Sequence, residues 1–198
     1  MEKPELNTEP TSIGVVIGSL RNNSINRRIF DELRALAPEN VDLYEIGIGD
    51  LPHYNEDLER DPPQIVSRFR EQIAAADGIL FITPEYNHSI PGVLKNAIDW
   101  ASRPHNPRPP IYGKPGAIVG GSTGRSGTMR AQLALRQILP VSNVLVMNKP
   151  DVYVTFAEEK FDADGRLADE QTIDQLRDFL GGFVRWIQLV TRENAVAV

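Results

Sequence analysis

The sequence predicts an α/β fold in which a doubly wound, five-stranded parallel sheet lies between two layers of helices. Three observations carry that prediction. Short apolar, β-branched runs alternate with stretches of helical periodicity along the whole chain. Most of those runs have no polar face, so the sheet they build must be covered on both sides. Right-handed crossovers then leave the three-layer α/β/α sandwich as the simplest arrangement.

SIGVVIG (12–18) reads as the first buried strand. From Ser24, placed to cap a first turn, Ile25, Ile29, Leu33 and Leu36 share one helical face. VDLYEI (41–46) is the second strand. Asp61-Pro62-Pro63 is expected to open a helix, Asp capping it, with Ile65, Phe69 and Ile73 inward. GILFIT (78–83) is the third strand, and Pro91 begins a helix carrying Ile90, Leu94, Ala97, Ile98 and Ala101. GAIVGG (116–121) is the fourth strand. Ala131, Ala134, Leu135 and Ile138 mark the next helix, stopped by Pro140. NVLVM and DVYVTF together supply a fifth, interrupted strand, and FDADGRL holds an Asp-Gly turn. The last helix runs from about Glu170, with Ile173, Leu176, Leu180, Phe183, Val184 and Ile187 inward. Gly181 and Gly182 inside it each cost helix stability, which implies close packing of another element there.

Composition narrows the function. The chain has 198 residues, a net charge of −6 and no cysteine. One core fits that length better than two. The acidic balance argues against a general grip on nucleic acid. The missing cysteines exclude disulfides, thiolate zinc sites and cysteine nucleophiles, and suit a reducing cytoplasm. Residues 1–11 are expected to be a loose tail with no secretory signal, and 12–192 a single domain. No apolar run approaches a membrane span.

In the strand order 2-1-3-4-5, ligands sit at the carboxyl ends of the strands, where the order reverses. The loops after strands one, three and four are the chemically richest in the chain: GSLRNNSIN (18–26), PEYNHSIPG (84–92) and GGSTGRSG (120–127). The first resembles an anion cradle, with Ser19, Ser24 and Asn26 as neutral donors, Arg21 as a charged fork and a helix amino terminus behind them. The plainer alternative is a capping Ser24 and a solvated Arg21. The glycine-rich third loop lets backbone approach a flat ligand closely, or is only a flexible turn. Arg125 within it either meets a second anion, such as a nicotinamide cofactor's phosphate, or is plain surface. His88 is read as scaffolding, and His53 and His105 lack the spacing of a zinc pair. No P-loop, dinucleotide G-x-G-x-x-G or nucleophile elbow is present.

GSLRNNSIN, TPEYNHSIPGVLKNAIDW and GGSTGRSGTMRAQ resemble, in order and spacing, the NADPH-dependent FMN reductase family. This is a flavodoxin-like group that includes quinone, azo-dye and chromate reductases, and the likeness spans about residues 12–155. LPHYNED also resembles the family's rim segment, with Asn55 where Asp is frequent. The resemblance implies one noncovalent FMN, its phosphate on Ser19, Arg21, Ser24 and Asn26. The ring would lie against Pro84, Glu85, Tyr86 and Asn87, with Ser122, Thr123 and Gly124 on the other side. It implies hydride transfer from NADPH or NADH to FMN, then two-electron reduction of quinones, azo dyes, ferric chelates, chromate or free flavin by ping-pong. The cofactor carries that chemistry, so no catalytic side chain is assigned. A homodimer or homotetramer is also implied, with the last helix, Trp100 and Trp186 as candidate contacts unless the tryptophans are core. The competing expectation is a flavodoxin-like electron carrier without enzymatic activity.

Overall fold

The computed structural model describes residues 10–104 and 108–196, with side chains up to Arg192. The chain runs β1 (Thr11–Ile17), α1 (Ile25–Leu36), β2 (Val41–Glu45), α2 (Gln64–Ala75), β3 (Gly78–Ile82), α3 (Gly92–Ala101), β4 (Pro115–Gly121), α4 (Met129–Ile138), β5 (Leu145–Val146), β6 (Val152–Val154) and α5 (Glu170–Val196). All pairings in the sheet are parallel, in the order β2-β1-β3-β4-β5, with β6 also on β4. The three-layer sandwich and the order 2-1-3-4-5 are therefore observed.

Alternation along the central strands divides the core in two. Ile13, Val15, Ile17, Leu80, Ile82, Ala117 and Val119 pack toward α1 and α5. Val16, Ile79, Phe81 and Ile118 point the other way, into α2, α3 and α4. β3 is buried at all five positions, which is why its sequence carries no polar face.

Four expectations change in detail. Thr11, placed in the tail, is the first residue of β1 and pairs with Val41, while residues 1–9 lie outside the described residues. Asp61 does not cap α2: Pro63, in extended conformation, precedes Gln64, and no side chain caps the turn. The buried face is consequently Val66, Phe69 and Ile73, and Ile65 is 37% exposed. Ile90 lies before α3, whose buried face includes Trp100. The fifth strand is interrupted, as expected, β5 pairing with Pro115 and Gly116 and β6 with Val119 to Gly121.

The segment between β5 and β6 leaves the sheet and docks on α5, which accounts for Gly182 but not for Gly181. A Cβ on Gly182 would lie 2.7 Å from Pro150 Cδ and 3.7 Å from Met147 Sδ. A Cβ on Gly181 would meet only Arg185 Nη1, at 3.5 Å. Gly181→Ala should therefore stabilise the protein by about 0.5–1 kcal/mol through helix propensity alone. Gly182→Ala should destabilise it by about 1 kcal/mol, because the rigid Pro150 ring cannot swing aside. Paired urea melts check both signs.

Candidate functional site

The sheet topology sets the site. β1, β3 and β4 are adjacent and parallel, so the loops leaving their carboxyl ends emerge side by side. A cleft of about 150 Å³ is lined from all three: Ser19, Arg21, Ser24, Ile25 and Asn26, then Pro84, Glu85 and Tyr86, then Gly121, Ser122 and Thr123. A larger depression of about 390 Å³ adjoins this cleft, sharing Ser19 and Arg21 and running on to Gly47 and Gly49, and another of about 300 Å³ lies away from it around Asp77 and Thr191. Size alone does not select the site. Only the smaller cleft joins the three loops.

Two glycines make that convergence sterically feasible. A Cβ on Gly120 would lie 2.1 Å from the Thr83 carbonyl oxygen, and one on Gly121 2.8 Å from Ile29 Cδ1. The end of β4 can thus pack directly against both neighbouring elements.

In the first loop, Ser24 is the N-cap of α1, its hydroxyl accepting from the Asn26 N–H at 3.2 Å. Both ends of the buried Asn26 amide are engaged by one residue. Its Nδ2 donates to the Gly121 carbonyl at 3.1 Å, and the Gly121 N–H donates to its Oδ1 at 3.0 Å. Asn26 is therefore a strut between the first and third loops, with one amide hydrogen left over. Ser19, buried, and Arg21, exposed, make no side-chain hydrogen bond or ion pair among the described residues. An unpaired guanidinium beside a helix amino terminus suits an anion such as a phosphate monoester.

In the second loop, Tyr86 and Ser89 exchange backbone hydrogen bonds, both at 3.0 Å, around Asn87 and His88. Those two residues have φ of 50° and 62°, the requirement of a type I′ turn. His88 is exposed at the tip, and its side chain makes no hydrogen bond among the described residues. Glu85 acts on the third loop. One carboxylate oxygen accepts from the Arg130 and Ala131 N–H groups at 2.9 and 3.4 Å, and the other pairs with Arg130 Nη1 at 2.7 Å. Its side chain is 8% exposed. Burial opposes ionisation of this carboxyl, but the Arg130 side chain, the two backbone donors and the Arg130 charge outweigh it. The pKa lies below the usual glutamate value.

The third loop is organised internally by Ser122, whose hydroxyl donates to the Gly127 carbonyl and accepts from the Gly124 N–H at 3.3 Å. Thr123, Gly124 and Arg125 are exposed, and Arg125 makes no ion pair among the described residues. The loop after β2 is fastened to α3. Pro52 O accepts from Asn96 Nδ2 and Trp100 Nε1 at 2.9 and 2.8 Å, and the Tyr54 N–H donates to Asn96 Oδ1 at 2.7 Å. Asn55 caps the short turn that follows, and Trp100 is fully buried, edge-on to Tyr54. Trp186 is half-buried and donates to Leu145 O. His105 lies outside the described residues. Asn96 and Arg130 were not singled out from sequence; both sit on helices at positions that read as ordinary polar surface.

A parallel sheet of this order, with a cleft at its switch point between a serine- and arginine-bearing loop and a glycine-rich wall, defines a flavodoxin-like fold. Residues 11–159 match the family described as NADPH-dependent FMN reductase. The chain is 43% identical to a 2-hydroxy-1,4-benzoquinone reductase of a Burkholderia species, covering 89% of this chain and 96% of that one. It is 47% identical to an NAD(P)H-dependent FMN reductase of Pseudomonas aeruginosa, covering 87% and 93%. Among solved structures, the flavoenzyme NAD(P)H:(acceptor) oxidoreductase FerB from Paracoccus denitrificans superposes with a TM-score of 0.84 at 41% identity, covering 90% of this chain and 97% of that one. The chain belongs to the NADPH-dependent FMN reductase family: it is an NAD(P)H-dependent oxidoreductase that works with FMN.

The Glu85 clamp has a pH signature. Because its native pKa is lowered, its contribution is complete above the ordinary glutamate value, near 4.3, and is lost as pH falls through the native value. Glu85→Gln should cost about 1–2 kcal/mol at neutral pH. The gap from the native protein should narrow steadily below about pH 4.5. Urea melts across that range measure it; a gap independent of pH would mean that Glu85 is not acting as a carboxylate.

Proposed function

We propose that the chain uses FMN held in the three-loop cleft to reduce quinones and related acceptors at the expense of NADPH or NADH. The observation that carries this reading is Arg21, an unpaired cation at the amino end of α1 on the wall of a cleft shared with the Pro84–Asn87 and Ser122–Gly124 loops. The neutral donors present suit a phosphate: Ser19, the Ser24 hydroxyl and the free amide hydrogen of Asn26. When bound, FMN supplies the group that accepts and returns a hydride equivalent.

The protein's share is then positional. Arg21 and the first turn of α1 fix the phosphate end. Pro84, Tyr86 and Asn87 border one side of the ring, held in register by the Tyr86–Ser89 turn, and Glu85 holds that wall against α4. Ser122, Thr123 and Gly124 border the other side. Arg125 is available to a nicotinamide cofactor's phosphate. Quinones are favoured as acceptors because relatives at 39–44% identity carry the names quinone reductase and 2-hydroxy-1,4-benzoquinone reductase. Azo dyes, ferric chelates, chromate and free flavin are further acceptors that an accessible reduced ring can serve.

Residues 11–192 form a single domain in this reading. Among the described residues no helix is long and apolar enough to cross a membrane. The absence of cysteine supports a cytoplasmic setting. A homodimer or homotetramer is supported by Met129 and Leu133, exposed apolar residues one turn apart on α4.

The purified protein should be yellow and bleach on anaerobic addition of NADPH or NADH; a colourless chain that rejects added FMN would remove the reading. Arg21→Ala should weaken FMN roughly 10- to 100-fold, the loss of about 1.5–3 kcal/mol expected for charge-assisted hydrogen bonds. Equilibrium FMN titration of both proteins decides it, and unaltered affinity would take Arg21 out of the site.

A further inference from the structure

Phe156 occupies the left-handed region of the backbone, with φ 47° and ψ 42°. Asparagine or glycine takes that conformation readily, whereas a bulky aromatic does so only when its surroundings impose it. Three backbone hydrogen bonds do so here. Ser122 N–H donates to Val154 O at 3.1 Å, Phe156 N–H to Gly124 O at 3.2 Å, and Ala157 N–H to Ser122 O at 3.0 Å. Residues 154–157 are thereby stitched to the glycine-rich wall of the cleft.

The ring held this way does not fill the core. Phe156 is 46% exposed, while Val154 and Ala157 on either side of the turn are buried. Backbone strain and apolar surface in water thus fall on one residue, beside the loop that borders the cofactor cleft. The space over Gly124 is open, since a Cβ there would meet only Ser122 Oγ at 3.8 Å. The second loop presents another exposed aromatic, Tyr86, at 45%, on the lining of the cleft itself.

We propose that Phe156 is an aromatic platform for the acceptor: a planar, electron-poor ring of the quinone class is held against it beside Gly124, making Phe156 a specificity-determining residue. This rests on reading the cleft as the site of an FMN-dependent quinone reductase. An aromatic face favours offset stacking with a second ring beyond what burial of area alone gives, an advantage of roughly three- to tenfold in binding. An acceptor without a flat face gains nothing from it.

The test compares FMN-loaded native chain with Phe156→Leu, which keeps apolar bulk without a ring, and Phe156→Gly, which also relieves the backbone. Each is assayed with 1,4-benzoquinone and with ferricyanide, an octahedral anion that cannot stack. Both variants should raise the KM for benzoquinone roughly three- to tenfold relative to that for ferricyanide. FMN content should match the native chain, and Phe156→Gly should melt no lower than Phe156→Leu. An unchanged ratio of the two KM values overturns the proposal. So does a loss of oligomer mass in both variants by light scattering, which would make Phe156 a subunit contact. A native chain that binds FMN yet reduces neither acceptor overturns the underlying reading instead.

Discussion

Two reciprocal hydrogen bonds between the Asn26 side chain and the Gly121 backbone hold the cleft in shape. They join the amino end of α1 to the carboxyl end of β4, residues 95 apart in sequence, in a buried setting where either unpaired partner would cost about 1–3 kcal/mol. Because Asn26 serves both backbone polar groups of one residue, it fixes orientation as well as distance. The capping Ser24, two residues earlier, is aligned by the same geometry. A conformational choice at the start of α1 thus decides where the unpaired Arg21 stands relative to the glycine-rich wall.

The second tie is electrostatic. Glu85 places a carboxylate on two N–H groups at the start of α4, where the helix dipole favours negative charge, and pairs with Arg130 as well. This leaves the cleft with an uneven distribution of charge. Arg130 is neutralised, while Arg21 and Arg125 are not. Arg21 stands on the cleft wall, Arg125 lies exposed in the adjoining third loop, and the rest of the cleft is bounded mainly by proline, tyrosine and small residues.

Much of this was legible in the sequence because it is local. Runs without a polar face announced buried parallel strands, Ser24 announced its helix, and the switch-point rule gathered three loops that the structure brings onto one cleft. The interruption of the fifth strand showed as a broken apolar run around Lys149-Pro150, and Gly182 announced the contact that the interrupting segment makes. What escaped was set by tertiary contact. The Asp61-Pro62-Pro63 signal suggested a capped start, but Pro63 itself ends the extended segment, and the face of α2 rotates to Val66 and away from Ile65. Glu85 lines the cleft, but the tie its carboxylate makes to α4, 45 residues on, has no local signal. Nothing local marks Phe156 as left-handed; the turn is imposed from Ser122 and Gly124.

The most direct measurement is the affinity of the flavin-free protein for FMN compared with riboflavin, which carries the same ring without the phosphate. If Arg21 and the amino terminus of α1 seat the phosphate, FMN should bind at least about 100-fold more tightly, a difference of roughly 2.7 kcal/mol. Equal affinities would contradict the assignment of the first loop as the anchor of the cofactor.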